Sequence, residues 1–199
     1  KFEHELLAEH GGHLATGLSG TCLMIQYLQE IGRDDLIFRF AAKTDEPSWG
    51  AMISRGGTAV WEYWDGRCSR IHNCYNSIGS WFQQGLAGIR PDPEGPGFMR
   101  VILHPAIVGD LTFVKARYDS IRGPIESSWS IIDNTVQWDI SIPPGVTASA
   151  QVPAASADTI TVNGTSPADA ENIQLPDAAG PRVNIGIHSG RYTLVFPVP

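Results

Sequence analysis

The segment Gly57-Thr58-Ala59-Val60-Trp61-Glu62-Tyr63-Trp64-Asp65 sets one carboxylate between two indoles, with a second carboxylate three residues on. Shortly after comes His72-Asn73-Cys74-Tyr75-Asn76-Ser77-Ile78-Gly79-Ser80-Trp81. Aromatic planes beside carboxylates suit a sugar. The apolar C–H faces of the ring stack on indole, while carboxylate and imidazole take the hydroxyls. A carboxylate held close to a glycosidic carbon can also do chemistry there. The competing reading of a W-E-x-W segment is a buried Trp pair with a helix-capping Glu.

Other residues carry paired readings of the same kind. Trp49, in Pro47-Ser48-Trp49-Gly50, is either a sugar platform or a wedge between helices. Asp65 either contacts sugar or orients a neighbour. His13 either hydrogen-bonds in a pocket floor or satisfies a helix start, and the structural role is favoured. Trp81 falls on an apolar helix face. Trp129 and Trp138 alternate with polar residues on strands, and all three read as core. The three cysteines, Cys22, Cys68 and Cys74, are odd in number and irregular in spacing, which is no disulfide framework. Cys22 reads as core, and Cys68 and Cys74 are close enough in sequence to pair. His10 and His13 flank two glycines without a Cys or carboxylate at a ligand interval, so neither a metal nor a cofactor is expected.

These groups need a scaffold of 199 residues, enough for one large domain or two small ones. Charged residues make up 18%, and 21 Gly plus 14 Pro favour a loop- and strand-rich globule. With a net charge of −7 and no Lys/Arg cluster, a nucleic-acid groove is not expected. No apolar run approaches the roughly 20 residues of a membrane span.

Residues 1 to about 90 read as helices joined by Gly-rich loops. Leu18, Cys22, Ile25 and Leu28 recur at helical spacing over 16–31, and Leu23, Met24 and Tyr27 make a second apolar side. Such a helix is buried between layers. Gly32 stops it, and Asp34 or Asp35 caps the next, which carries Leu36, Ile37, Phe40 and Ala41. A further helix is expected over 75–87. Glu46 to Gly50 and Gly57 to His72 fall in loops at helix ends, where functional groups concentrate. The helices offer more apolar surface than they can bury among themselves, which implies further helices outside this sequence. The chain begins mid-pattern, as a fragment would, so the absent leader at Lys1 carries no information on compartment.

The turn-dense Pro91-Asp92-Pro93-Glu94-Gly95-Pro96-Gly97 is read as a linker. Beyond it the period switches to two, as in Val136, Trp138, Ile140 and Ile142, in Val183, Ile185 and Ile187, and in Tyr192, Leu194 and Phe196. Asp133-Asn134 and Asn163-Gly164 are hairpin signals. Residues 96–199 are therefore expected to form an antiparallel β-sandwich after a helical domain over 1–95.

The motifs carry a resemblance in their order. Gly12-His13-Leu14-Ala15-Thr16-Gly17 with Gly20-Thr21, then Pro47-Ser48-Trp49-Gly50, the Trp61-Glu62-Tyr63-Trp64 segment, His72-Asn73 and Gly85-Leu86-Ala87-Gly88-Ile89 resemble the C-terminal catalytic segments of bacterial α-L-rhamnosidases of glycoside hydrolase family 78. Arg100-Val101-Ile102-Leu103-His104-Pro105 resembles the start of that family's C-terminal domain. The resemblance implies the last helices of an (α/α)6 barrel followed by a β-sandwich, and an inverting hydrolase of terminal α-L-rhamnose. It implies a general-base role for Glu62, pocket-lining roles for Trp61 and Trp64, and sugar contact for His72. The stretch from Glu62 to His72 is shorter than is usual in that family. The family's general acid lies upstream of the matching segments, so the base side alone is represented. Rhamnose-containing glycosides or polysaccharides are the implied partners, with self-association through the helical half as a further expectation. The alternatives are another glycosidase with the same barrel, of trehalase or glucoamylase type, and a non-catalytic carbohydrate-binding or interaction module.

Overall fold

The structure, a computed structural model, describes residues 4, 8–14, 16–73, 75–175 and 181–199. It divides into two compact units, Lys1–Trp81 and Phe82–Pro199. Cys74 lies outside the described residues, as does any pairing with it. Cys22 and Cys68 are free thiols.

The first unit is helical. α1, Leu18–Glu30, buries Thr21, Ile25, Leu28 and Gln29. Cys22 is only half-buried, and Leu23 and Tyr27 are 65% and 49% exposed. Thr21 fits the interior because its hydroxyl donates back to the Gly17 carbonyl at 2.9 Å. The helix stops at Gly32, whose φ of +69° lets the amide of Arg33 return to the carbonyl of Leu28 at 2.8 Å. α2, Asp34–Ala41, buries Leu36, Ile37 and Phe40. Arg33, not an aspartate, occupies its cap position, and no side-chain cap forms. Asp34 and Asp35 sit in the first turn, where the helix dipole favours a carboxylate. Arg33 grips Asp35 through Nε and Nη2 at 2.8 and 2.9 Å, and this bonding holds the Asp35 carboxyl below its ordinary range.

α3, Trp49–Ser54, begins inside the Glu46–Gly50 stretch expected as a loop. Ser48 caps it by accepting from the amide of Ala51 at 2.9 Å. Gly50 is required here, since a Cβ would sit 2.3 Å from the carbonyl oxygen of Lys43. α4 is short, Ser77–Trp81. Its Trp81 is 1% exposed and donates to Asp34 Oδ1 at 2.7 Å, tying it to the start of α2. Among the described residues no helix is long and apolar enough to cross a membrane.

The second unit opens with a π-helical turn, Phe82–Leu86. One sheet follows in the order β1 (Ile89–Pro91), β2 (Arg100–Leu103), β6 (Thr147–Val152), β9 (Val183–Ile187), β8 (Ile173–Gln174). The other runs β3 (Phe113–Ser120), β4 (Gly123–Ile132), β5 (Thr135–Ile142), β10 (Gly190–Pro197), β7 (Thr161–Val162). All pairings are antiparallel except β2 with β6. The sandwich thus begins before the Pro/Gly-rich segment. β1 pairs with β2, and residues 92–99 are the turn joining them. Asp92 caps that turn by accepting from the amide of Glu94 at 2.9 Å.

Trp129 and Trp138 face each other across β4 and β5, both almost fully buried. Their indole N–H groups are satisfied, Trp138 by Ser127 Oγ at 2.9 Å and Trp129 by the Leu86 carbonyl at 2.9 Å. Asp133 and Asn134 both adopt positive φ, giving the two-residue hairpin that joins these strands. Asn163-Gly164 makes a similar turn, flanked by the Val162–Thr165 bridge.

Candidate functional site

Glu62 sits in a loop that folds back on itself. The amide of His72 donates to the Val60 carbonyl at 2.8 Å, and that of Glu62 to the Ser69 carbonyl at 2.9 Å. The Ser69 amide returns to Glu62 Oε2 at 3.2 Å. His72 Nδ1 lies 3.8 Å from the same oxygen. The Glu62 side chain is 26% exposed, and its Oε1 accepts no hydrogen bond among the described residues. One oxygen is therefore anchored by a backbone amide. The other is open and half-shielded from solvent, an arrangement able to accept a proton from a water molecule.

The aromatic side chains around it mostly pack rather than face solvent. Trp61, expected to line a sugar pocket, is 1% exposed and offers no ring face. It is the loop's internal anchor: the guanidinium groups of Arg55 and Arg70 lie 5.2 and 5.0 Å from its ring. Gly66 presses so close that a Cβ would stand 2.8 Å from the indole. Trp49 is 9% exposed and donates from Nε1 to the Tyr75 carbonyl at 3.2 Å. Trp64 is half-buried, stacked on Tyr75 at 3.9 Å, edge-on to Trp49 at 5.2 Å, and bonded to the Thr16 carbonyl at 3.2 Å. The structure brings Trp49, Trp64 and Tyr75 into one cluster and leaves Glu62, His72, Tyr63 and Asp65 accessible.

Asp65 points its Oδ1 back to the amide of Arg67 at 3.0 Å. His13 is structural but starts no helix. It contacts the Pro47 carbonyl through Nδ1 at 3.0 Å and Asp45 Oδ2 through Nε2 at 3.1 Å. The Asp45 carboxyl is held below its ordinary range, chiefly by its own backbone N–H and further by His13. Among the described residues no three His, Cys, Asp or Glu side chains gather as a metal site.

The residues missed by reading the sequence are the clamps. Arg55 donates to Glu46 Oε2 at 3.2 Å and to the Asp65 carbonyl at 2.7 Å, and Arg70 donates to the Gly66 carbonyl at 3.2 Å. Arg67 covers Tyr63 at 4.3 Å. Their available signal was three arginines flanking an aromatic run, the makings of cation–π contacts.

The profile of the bacterial α-L-rhamnosidase 6-hairpin glycosidase domain matches residues 3–86, and that of the bacterial α-L-rhamnosidase C-terminal domain matches residues 88–166. The chain belongs to the bacterial α-L-rhamnosidase family. An α-L-rhamnosidase of Alteromonas sp. is 32% identical over 160 residues, covering 75% of this chain and 17% of the relative. One from Streptomyces avermitilis is 31% identical over 74% of this chain and 15% of its own length. The crystal structure of a Streptomyces avermitilis α-L-rhamnosidase complexed with L-rhamnose aligns with a TM-score of 0.84 at 27% identity, over 96% of this chain and 19% of that one. The α-L-rhamnosidase of Dictyoglumus thermophilum aligns at 0.85 and 26% identity, over 98% and 22%. The chain spans only 15–21% of the length of the curated relatives it matches. Its helical unit accordingly corresponds to part of a six-hairpin glycosidase domain, and its sandwich to the domain that follows.

Proposed function

We propose that this chain is the base-bearing part of an inverting glycoside hydrolase that releases terminal α-L-rhamnose from glycosides. Glu62 Oε1 takes the proton of the water that attacks the anomeric carbon. The general acid, about 6.5–9.5 Å away in an inverting enzyme, comes from a part of the parent outside this sequence. His72 and Asp65 contact sugar hydroxyls at the rim, and Trp49 and Trp64 shape the pocket wall through their packing. The helical segment matched up to residue 86 belongs with the catalytic domain in this reading. The observation that carries it is Glu62 itself: a half-shielded carboxylate with one oxygen fixed by the Ser69 amide and the other open. Family membership and the L-rhamnose complex of the Streptomyces avermitilis relative support the substrate class.

Replacing Glu62 by Gln in the full-length parent tests the assignment. Size and the acceptor for the Ser69 amide are kept, and basicity is lost. We expect kcat on an aryl α-L-rhamnoside to fall at least ~10²-fold, with an unchanged circular dichroism spectrum. Near-normal turnover would return Glu62 to a structural role.

The same reading extends to self-association of the isolated chain. Leu23 and Tyr27 on α1, with Ile31 at its C-cap, lie at i, i+4 and i+8 and are 65%, 49% and 49% exposed, and Ile53 on α3 is 70% exposed. Apolar surface of this kind seeks a second surface, which in the parent is supplied by the remaining helices.

A further inference from the structure

The outer face of the second sheet carries a polar trough whose lining includes no residue of the Glu62 loop. Its construction follows from strand register. Glu126 on β4 lies opposite Ser141 on β5, which lies opposite Arg191 on β10. The next row outward on the same face is Ser128, Asp139 and Thr193. Small hydroxyl side chains form the floor, with long ones standing at either end. Two strand spacings separate the Glu126 and Arg191 backbones, about 10 Å. The hollow so formed measures about 480 Å³. It shares Asn163, Arg191 and Tyr192 with a second hollow of about 460 Å³ that continues past the hairpin at Asn163-Gly164. On the Pro124, Pro143 and Pro144 side a third hollow adjoins Arg191 with a mostly apolar lining.

The polarity of the walls selects the ligand. Glu126 and Asp139 offer only acceptors. Arg191 offers only donors, and its guanidinium makes no ion pair or hydrogen bond among the described residues. The nearest carboxylates are otherwise engaged: Glu126 by Arg117 at 3.4 Å, and Asp139 by Thr193 Oγ1 at 2.7 Å and Gln137 at 3.2 Å. An anion entering would meet two carboxylates, and a cation would meet the guanidinium. A neutral polyol suits both walls, because each hydroxyl donates and accepts. The proline side supplies an apolar surface for sugar C–H groups. All three hollows meet at Arg191, so an oligosaccharide reaches lining that a single sugar does not.

We propose that this trough is a second, non-catalytic binding site for a neutral oligosaccharide, centred on Arg191, Glu126 and Ser141. It would hold a glycan chain to the sandwich independently of the hydrolytic site. The proposal does not rest on the role of Glu62.

The test uses the 199-residue chain, ¹⁵N-labelled, titrated with tetrasaccharides of α-linked L-rhamnose, β-linked glucose and β-linked galactose, and with a tetra-uronate as the anionic control. The expected result is millimolar or tighter binding of at least one neutral tetrasaccharide, with amide shifts at Ser128, Ser141, Arg191 and Thr193. Free L-rhamnose should bind at least ~10-fold more weakly. Arg191→Ala should weaken binding at least ~10-fold, and Ser141→Trp, which fills the floor, should abolish it. Arg191 is solvent-exposed, so its variant keeps the fold, and that reading stands even if the tryptophan variant does not fold. Glu62→Gln should leave the affinity unchanged. Absence of binding by every neutral tetrasaccharide at 10 mM-scale concentration overturns the proposal. So do shifts clustered around Glu62, tighter binding of the tetra-uronate, or indifference to Arg191→Ala.

Discussion

The two units use tryptophan in opposite ways. In the sandwich, Trp129 and Trp138 are a cross-strand pair inside one continuous cluster that runs from Ala87 to Phe196, and every layer of that cluster lies within the unit. In the helical unit, Trp49, Trp61 and Trp64 tie loops together, through a carbonyl of Tyr75, two guanidinium groups and a carbonyl of Thr16. There the apolar stripe of α1 faces outward. A sheet pair can bury its inner faces in about 100 residues, whereas a helix of a barrel needs neighbours on two sides. The sandwich therefore reads as self-sufficient, and the helical unit as a part whose order comes from local lacing.

The largest effect should follow from breaking the sandwich core. Trp138→Ala removes a fully buried indole and strips Ser127 Oγ of its donor. A loss of about 3–5 kcal/mol is expected, read as a shift in the denaturant midpoint of the sandwich transition. A loss below about 1 kcal/mol would show that the cluster is not one cooperative core. For the helical unit the corresponding break is the isolation itself. The 21.6 kDa chain should not turn over an aryl α-L-rhamnoside at a useful rate, and its solution mass should exceed that of a monomer. Robust turnover by a monomer would place the acid within these residues, with Asp65 and Glu46 the first to replace.

Legibility in the sequence follows the same division. Strands β4, β5, β9 and β10 were readable because their period-two pattern is set by one buried face. β3 was not, since it is an edge strand with exposed residues at Phe113, Lys115 and Arg117 on the alternating positions. β1 was hidden by Pro91 and by its three-residue length. In the site, Glu62 and its neighbours were visible as residue types, and Gly32 and Asp133-Asn134 as backbone signals. The direction of Trp61 was not visible. A W-E-x-W segment in a loop has no period, so which indole turns inward is decided by Arg55, Arg70 and Gly66, contacts made only in the folded loop.

A smaller effect sharpens the picture of the sandwich. His104 is desolvated by burial and faces Arg182, so its pKa falls to about 4 although Gln151 bonds its Nδ1. The native ring is neutral where the unfolded one, titrating near 6.5, is charged. The unfolded state then binds more protons, so stability rises with pH across this window. The contribution is complete above pH 6.5 and is lost as pH falls towards 4, about 2 kcal/mol once the solvent still reaching the ring is allowed for. Denaturant midpoints of the sandwich measured from pH 7 to pH 4 should show this slope, and His104→Asn should flatten it. An unchanged slope in that variant would assign the pH dependence to other groups.

The smallest effect tests the lacing of the helical unit. Trp64→Phe keeps a ring stacked on Tyr75 but removes the donor to the Thr16 carbonyl. One neutral hydrogen bond at a partly exposed site contributes about 1 kcal/mol, so the stability change should be of that size. The catalytic consequence in the parent separates two roles. If Trp64 only braces the loop, Phe restores most of the bracing, and kcat and KM should stay within about 3-fold of the original. If the indole N–H instead serves a sugar hydroxyl in the assembled pocket, KM should rise while stability barely moves. Arg55→Lys provides the reference, since it alters the same loop from the side of Glu46 and the Asp65 carbonyl without touching the Trp64 ring. A Trp64→Phe profile matching that of Arg55→Lys is expected from bracing alone, and a KM change confined to Trp64→Phe would overturn it.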